Sequence, residues 1–160
     1  MYKNITQMKS IKMKEMKIIG LSDKVSFPEL ELQDISAKID TGAYTSSIHC
    51  HQIEVFTEDG QEKVAFSLLD KEHEAYNNKR YIMNLHKIRR VKSSNGMTEN
   101  RVSIKTKVVL FKKTYSIELT LTDRKDMKFP VLLGRKILKG RFLVDVSKKN
   151  LSDLSKQGLK

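Results

Sequence analysis

The sequence predicts an all-β domain, a barrel or a sandwich, with one short helix near the C-terminus. Three observations carry that prediction. Apolar residues recur at every second position through the middle of the chain, turn-forming residues punctuate these runs, and only one segment reads as helix. Ile35 to Ile39 (I-S-A-K-I) places Ile35, Ala37 and Ile39 on one face and Ser36 and Lys38 on the other. Glu58-Asp59-Gly60 reads as a hairpin turn, and Val64, Phe66 and Leu68 alternate after it. Residues 70–80 are polar and aperiodic and read as a loop. Ser93-Ser94-Asn95-Gly96 reads as a second turn, with Asn95-Gly96 suited to type I′. Ile104 to Phe111 starts by alternating and becomes fully apolar. Tyr115, Ile117, Leu119 and Leu121 form the clearest alternating run. Phe129 to Gly134 is an apolar strand ending in glycine, and Arg135 to Lys139 forms the helix, closed by Gly140.

The chain has 160 residues, the length of one domain, and 39% of them are hydrophobic, which excludes collagen-like and wholly disordered classes. A single cysteine, Cys50, excludes an internal disulfide and a cysteine-based zinc finger. The longest apolar runs fall far short of a membrane span, and the N-terminus lacks a secretory apolar stretch, so the expected setting is reducing and cytoplasmic, with no membrane. Formal net charge is +12, of which residues 1–17 carry +4 and residues 146–160 carry +3, leaving +5 on the body between them. The expected division is a basic N-terminal tail (1–17), a body (18–146) and a basic C-terminal tail (147–160). Such tails suit nucleic-acid or ribosome contact, and equally suit solubility. The charge on the body favours an anionic partner.

The segment richest in chemistry is Asp40-Thr41-Gly42-Ala43, directly after the strand ending at Ile39. Gly42 permits a tight bend that brings backbone N–H groups to the Asp40 carboxylate. The Thr41 hydroxyl can bond a neighbouring strand or a second copy of the loop. An aspartate so held at a strand end can point into a cleft. Leu132-Leu133-Gly134, about ninety residues on, offers two apolar residues and a glycine at which two backbones can cross closely.

These two elements resemble the retropepsin-like aspartic peptidases, in which a D-T-G loop passes through a wide loop ending in an apolar-apolar-Gly segment. Four stretches sharpen the resemblance: Lys38 to His49, Arg89 to Arg101, Leu119 to Arg135 and Leu138 to Asp145. They are similar to a bacterial and archaeal family long labelled an ATP-dependent zinc protease, associated with RimK-type glutamate ligases and now read as aspartic peptidase. One branch of it trims glutamate tails that the ligase adds to a ribosomal protein. The resemblance spans about residues 18–146. It implies a closed acid-protease barrel, an aspartic endopeptidase acting on a peptide or protein substrate, and no cofactor.

The residues test the old label directly. No H-E-x-x-H and no Walker A loop occur, so neither zinc catalysis nor ATP binding is supported. His49 and His51 share one face of a strand, with Cys50 on the other, but two ligands do not make a zinc site. His49 is read as packed or hydrogen-bonded, and no metal is assigned. Aspartic chemistry needs two carboxylates sharing one proton, since like charges a few ångströms apart cannot both ionise. With only one D-T-G in the chain, a homodimer must pair two Asp40 side chains across a two-fold axis, unless Asp123, Asp126 or Asp145 stands in. Asp145 reads better as a strand-end or ion-pair residue, and Asp123-Arg124 as a turn pair. The hairpin carrying Ser93, Ser94, Asn95 and Gly96 falls where retropepsins place the flap. Arg89 and Arg101 beside it suit an acidic, glutamate-rich peptide, with Glu99 as an internal ion-pair partner. Ala43 completes the expected substrate-binding set. The rival reading is a non-catalytic module holding acidic peptides or RNA, and a zinc-dependent hydrolase comes third.

Overall fold

The computed structural model describes residues 15–92, 95–123 and 128–152, with the side chains of Val91 and Lys92 excepted. Among the described residues there are eleven strands and one α-helix. In chain order they are β1 (Lys17–Ile19), β2 (Ser22–Phe27), β3 (Leu32–Ile39), β4 (Ser46–Glu58), β5 (Gln61–Leu68), β6 (Arg80–Asn84), β7 (Lys87–Lys92), β8 (Thr98–Leu110), β9 (Lys113–Thr122), β10 (Val131–Leu133), α1 (Arg135–Leu138) and β11 (Phe142–Val144). The all-β reading holds, and the alternating runs lie inside strands except at Phe111, which falls in the turn after β8. In β3, Ile35, Ala37 and Ile39 are buried while Lys38 is exposed, as the period of two requires.

The large sheet runs β10-β3-β2-β8-β9-β4-β5-β6, with β7 paired to β8. Its ladder returns on itself through β10, which bonds β3 in parallel on one side and β4 antiparallel on the other. This corrects the expected closed barrel to a looser one. The return rests on a three-residue strand, β2 and β8 share a single registered pair (Ser26 with Val109), and β5, β6 and β7 lie off the ring. In the single core cluster, Phe27, Leu30, Ile48, Phe66, Ile104, Leu119 and Leu133 are essentially inaccessible to solvent. Burying a side chain of this size stabilises the fold by about 2 kcal/mol, so this cluster supplies the main driving force.

Turn chemistry explains the hairpins. Asp59 (φ 51°) and Gly60 (φ 77°) both take the left-handed region between β4 and β5, as a type I′ turn demands. The second hairpin differs from expectation. Lys92 pairs with Thr98, so five residues (93–97) separate β7 from β8 in place of a two-residue type I′ turn. Gly96 does take a positive φ (83°), while Ser93 and Ser94 lie outside the described residues. The helix closes at Gly140 (φ 72°), where the chain turns into β11.

Two boundaries drawn from charge move. Lys17, assigned to the N-terminal tail, opens β1 and pairs with Phe142. Beyond Val146, Asn150 N–H donates to Ser22 O (2.9 Å), and the buried Ser152 hydroxyl bonds the buried Asp23 carboxylate. Backbone pairing and a buried polar partner outweigh local charge in placing these residues. Among the described residues no helix is long and apolar enough to cross a membrane.

Candidate active site

Backbone hydrogen bonds from two directions build the loop after β3. Asp40 N–H donates to Leu133 O (2.9 Å), continuing the parallel β3–β10 ladder one residue past Ile39. Gly42 N–H donates to the Asp40 carboxylate (Oδ1, 3.0 Å), and Ala43 N–H donates to Asp40 O (3.3 Å). The N-terminus of α1 holds the far side: Arg135 N–H donates to Ala43 O (2.8 Å) and Lys136 N–H to Tyr44 O (2.9 Å). The first N–H groups of a helix lack intrahelical partners, so the loop carbonyls satisfy them. The Arg135 guanidinium adds a bond to Thr41 O (3.0 Å).

Gly134 is where the two segments cross. A Cβ there would lie 2.8 Å from Ala43 O and 2.7 Å from Thr45 O, so only glycine fits. Its N–H donates to the buried Ser46 hydroxyl (3.1 Å). The crossing expected from Asp40-Thr41-Gly42 and Leu132-Leu133-Gly134 is therefore present. The Asp40 carboxylate is half-buried, and Thr41 and Gly42 are exposed. No bond to the Thr41 hydroxyl forms among the described residues.

A cleft of about 250 Å³ opens beside this loop, lined by Asp40, Ala43, Thr45, Arg89, Arg101 and Thr120 among others. It gathers the expected Asp40, Ala43, Arg89 and Arg101, which are up to sixty-one residues apart in sequence. Asn95 and Gly96 do not line it; they are exposed at the tip of the β7–β8 hairpin. Arg89 on β7 and Arg101 on β8 form a registered cross-strand pair, which explains their joint arrival. Glu99 pairs with Arg101 across 3.7 Å, as anticipated. Among the described residues the Arg89 Nε and the Thr120 hydroxyl are buried without a hydrogen-bond partner, leaving donors for a bound group, while Arg101 Nε faces Glu99 at ion-pair distance.

Sequence reasoning missed Glu118. It occupies a nominally polar position of the alternating β9 run, yet its side chain is only 1% exposed. Lys136 donates to it (2.7 Å), as do Ser103 (2.9 Å) and Arg89 (3.2 Å). Burial alone would raise its pKa, but these three bonds prevail and lower it from 4.5 to about 2. Glu118 thus anchors Arg89 from below and ties α1 to β9. The available signal was a lone acid within a run whose neighbours Ile117, Leu119 and Leu121 are core residues.

The remaining candidates fall as follows. Asp145 accepts from the Ser147 hydroxyl (2.6 Å), which holds its carboxyl below the ordinary range, so it is a turn residue. Asp123 is exposed, and Arg124 and Asp126 lie outside the described residues. Burial pushes the Cys50 thiol up to about 12, which makes it unreactive. His49 is buried and hydrogen-bonded, its Nε2 lying 2.9 Å from Asp70 Oδ1. His51 and Asp70 gather beside it, and Asp70 was not anticipated.

An aspartate loop threaded past an apolar-apolar-Gly strand in an all-β frame defines a retropepsin-like chain. More specifically, residues 18–154 match the model of the RimB-like family, described as retropepsin-like aspartic endopeptidase RimB, and the chain belongs to that family. A probable alpha-L-glutamate ligase of Desulfotalea psychrophila is 38% identical over 148 residues, 89% of this chain. One of Shewanella pealeana is 38% identical over 134 residues, 81% of this chain. The chain spans only 31% and 28% of these two relatives. A crystal structure of a Legionella pneumophila protein of unknown function (DUF785) superposes with a TM-score of 0.68 at 26% identity. That match covers 86% of this chain and 99% of the other.

Proposed function

We propose that the chain is an aspartic endopeptidase that works as a homodimer on acidic, glutamate-rich peptides. One observation carries the reading: the crossing at Gly134 fixes Asp40 at the mouth of a cleft whose other charged walls are Arg89 and Arg101. Two copies meeting at this loop bring two Asp40 carboxylates together. One, ionised, takes a proton from water as the oxygen attacks the peptide carbonyl. The other, protonated, donates to the leaving nitrogen as the C–N bond breaks. The two arginines hold substrate carboxylates, for which a guanidinium fork is the matched donor.

Support for the dimer comes from what surrounds the loop. Tyr44 is 54% exposed beside Thr41, and the groove between loop and helix, lined by Thr41, Tyr44, Leu138, Phe142 and Val144, presents apolar surface. An isologous contact covers this surface twice over. The test is hydrolysis of a poly-glutamylated peptide by the wild type, Asp40→Asn and Asp40→Ala. Turnover is expected only in the wild type, and turnover surviving both changes removes Asp40 from the mechanism.

A second reading has its own support. The two relatives named above bear a ligase name, and the matched segment is less than a third of each. On that reading the domain holds an acidic chain beside another enzyme's site. Wild type and Asp40→Asn would then bind the glutamylated peptide equally, and neither would cleave it.

A further inference from the structure

The other end of β10 carries a cluster that the Asp40 chemistry does not use. His49 N–H bonds to Pro130 O, just before β10, whereas Asp40 follows the residue paired to its last member. The two places are therefore roughly 13 Å apart along extended chain. His49 and His51 project from the same face of β4, two residues apart. The antiparallel partner β5 ends at Leu68. Leu69 then takes a left-handed φ of 63° and turns Asp70 back toward His49. A matching irregularity lies on β4, where register shifts after His51 and Gln52 sits at φ 53°.

From this geometry we infer that His49, His51 and Asp70 bind a divalent first-row transition metal, at a site separate from the aspartate loop. One ligand atom from each lies within 4.8 Å of the others. Two ligands about 2.0–2.1 Å from a shared ion sit about 2.9–3.3 Å apart at angles between octahedral and tetrahedral. The observed 2.9 Å from His49 Nε2 to Asp70 Oδ1 falls in that range. Among the described residues His51 Nδ1 is fully buried and has no hydrogen-bond partner, so the His51 ring has an unmet polar demand there. Two imidazoles and one carboxylate favour zinc, cobalt, nickel or iron over magnesium or calcium, which prefer all-oxygen sites. Asp70 is 38% exposed, which gives the ion a path from solvent and leaves room for water as further ligand. Cys50, between the two histidines, is buried in the core and takes no part.

Full-length protein dialysed against chelator should take up one equivalent of Co²⁺ or Zn²⁺ per chain by titration calorimetry, and no Mg²⁺. On Zn²⁺ addition, imidazole ¹⁵N resonances of His49 and His51 should move while those of His73 and His86 stay in place. Asp70→Asn and His51→Gln should each weaken uptake at least about tenfold, with far-UV circular dichroism unchanged in the metal-free state. Asp70→Asn keeps a side-chain oxygen for the His49 contact and so decides the matter if His51→Gln does not fold. Absence of stoichiometric uptake, uptake undiminished in Asp70→Asn, or shifts confined to His73 and His86 would each overturn the assignment.

Discussion

Two carboxylates in the neighbourhood of Arg89 have opposite fates. Glu118 lies beneath the β7–β8 hairpin, sealed from solvent and saturated by Lys136, Ser103 and Arg89. Asp40 sits at the cleft mouth, half-buried, with one local bond from Gly42 and backbone bonds that fix the loop, while among the described residues the carboxylate's other acceptor positions are open. The saturated acid organises its neighbours and cannot exchange protons near neutral pH. The under-satisfied one is positioned by its main chain and keeps its chemistry available. Location near a cleft does not separate the two; the count of donors does.

The largest test of that contrast is Asp40→Asn. Hydrolysis should fall by about 10³-fold or more, about 4 kcal/mol in transition-state stabilisation, with the urea midpoint little changed. Loss of folding instead would make Asp40 a structural acid like Glu118. Gly134→Ala should act on stability, by about 3 kcal/mol in denaturant unfolding, because its Cβ meets two carbonyl oxygens that the crossing cannot move apart.

Glu118→Gln comes next, with a loss of about 2 kcal/mol at neutral pH as Lys136 and Arg89 lose their charged partner. The pH dependence has a definite sign. Because the folded pKa is depressed from 4.5 to about 2, the stabilisation is complete above about 4.5 and disappears as pH falls toward 2. Urea titrations across that window should show a steep acid limb in the wild type and a shallower one in Glu118→Gln. The smallest effect is expected from Arg101→Ala: about a tenfold rise in KM for a glutamate-rich peptide and little change for a neutral one, with kcat preserved.

Much of this contrast was legible in residue order, and the rest failed for physical reasons. Asp40-Thr41-Gly42 and Leu132-Leu133-Gly134 announced the crossing because close approach of backbones demands glycine at one defined place. Arg89 and Arg101 were legible as a basic pair beside a turn, and the β7–β8 register delivers them together. The turn between β8 and β9 was not legible. Phe111 (φ 51°) and Lys112 (φ 61°) form it without glycine, asparagine or aspartate, so tertiary packing of Phe111 against Phe142 overrides local preference. Glu118 was hidden because alternation assigns a polar residue to the solvent face, whereas β9 is covered on both faces from Ile117 to Thr122. Asp70 was hidden because a residue in a polar loop gives no sign of which strand it folds back upon.

The parallel pairing of β1 with β11 sets Lys17 beside Phe142, and farther along the same seam Asn150 bonds Ser22 and Ser152 clasps the buried Asp23 carboxylate. Trimming the protein back to Val146 would strip that carboxylate of its Ser152 donors inside the core, so this last stretch is as much a part of the sheet's integrity as any strand.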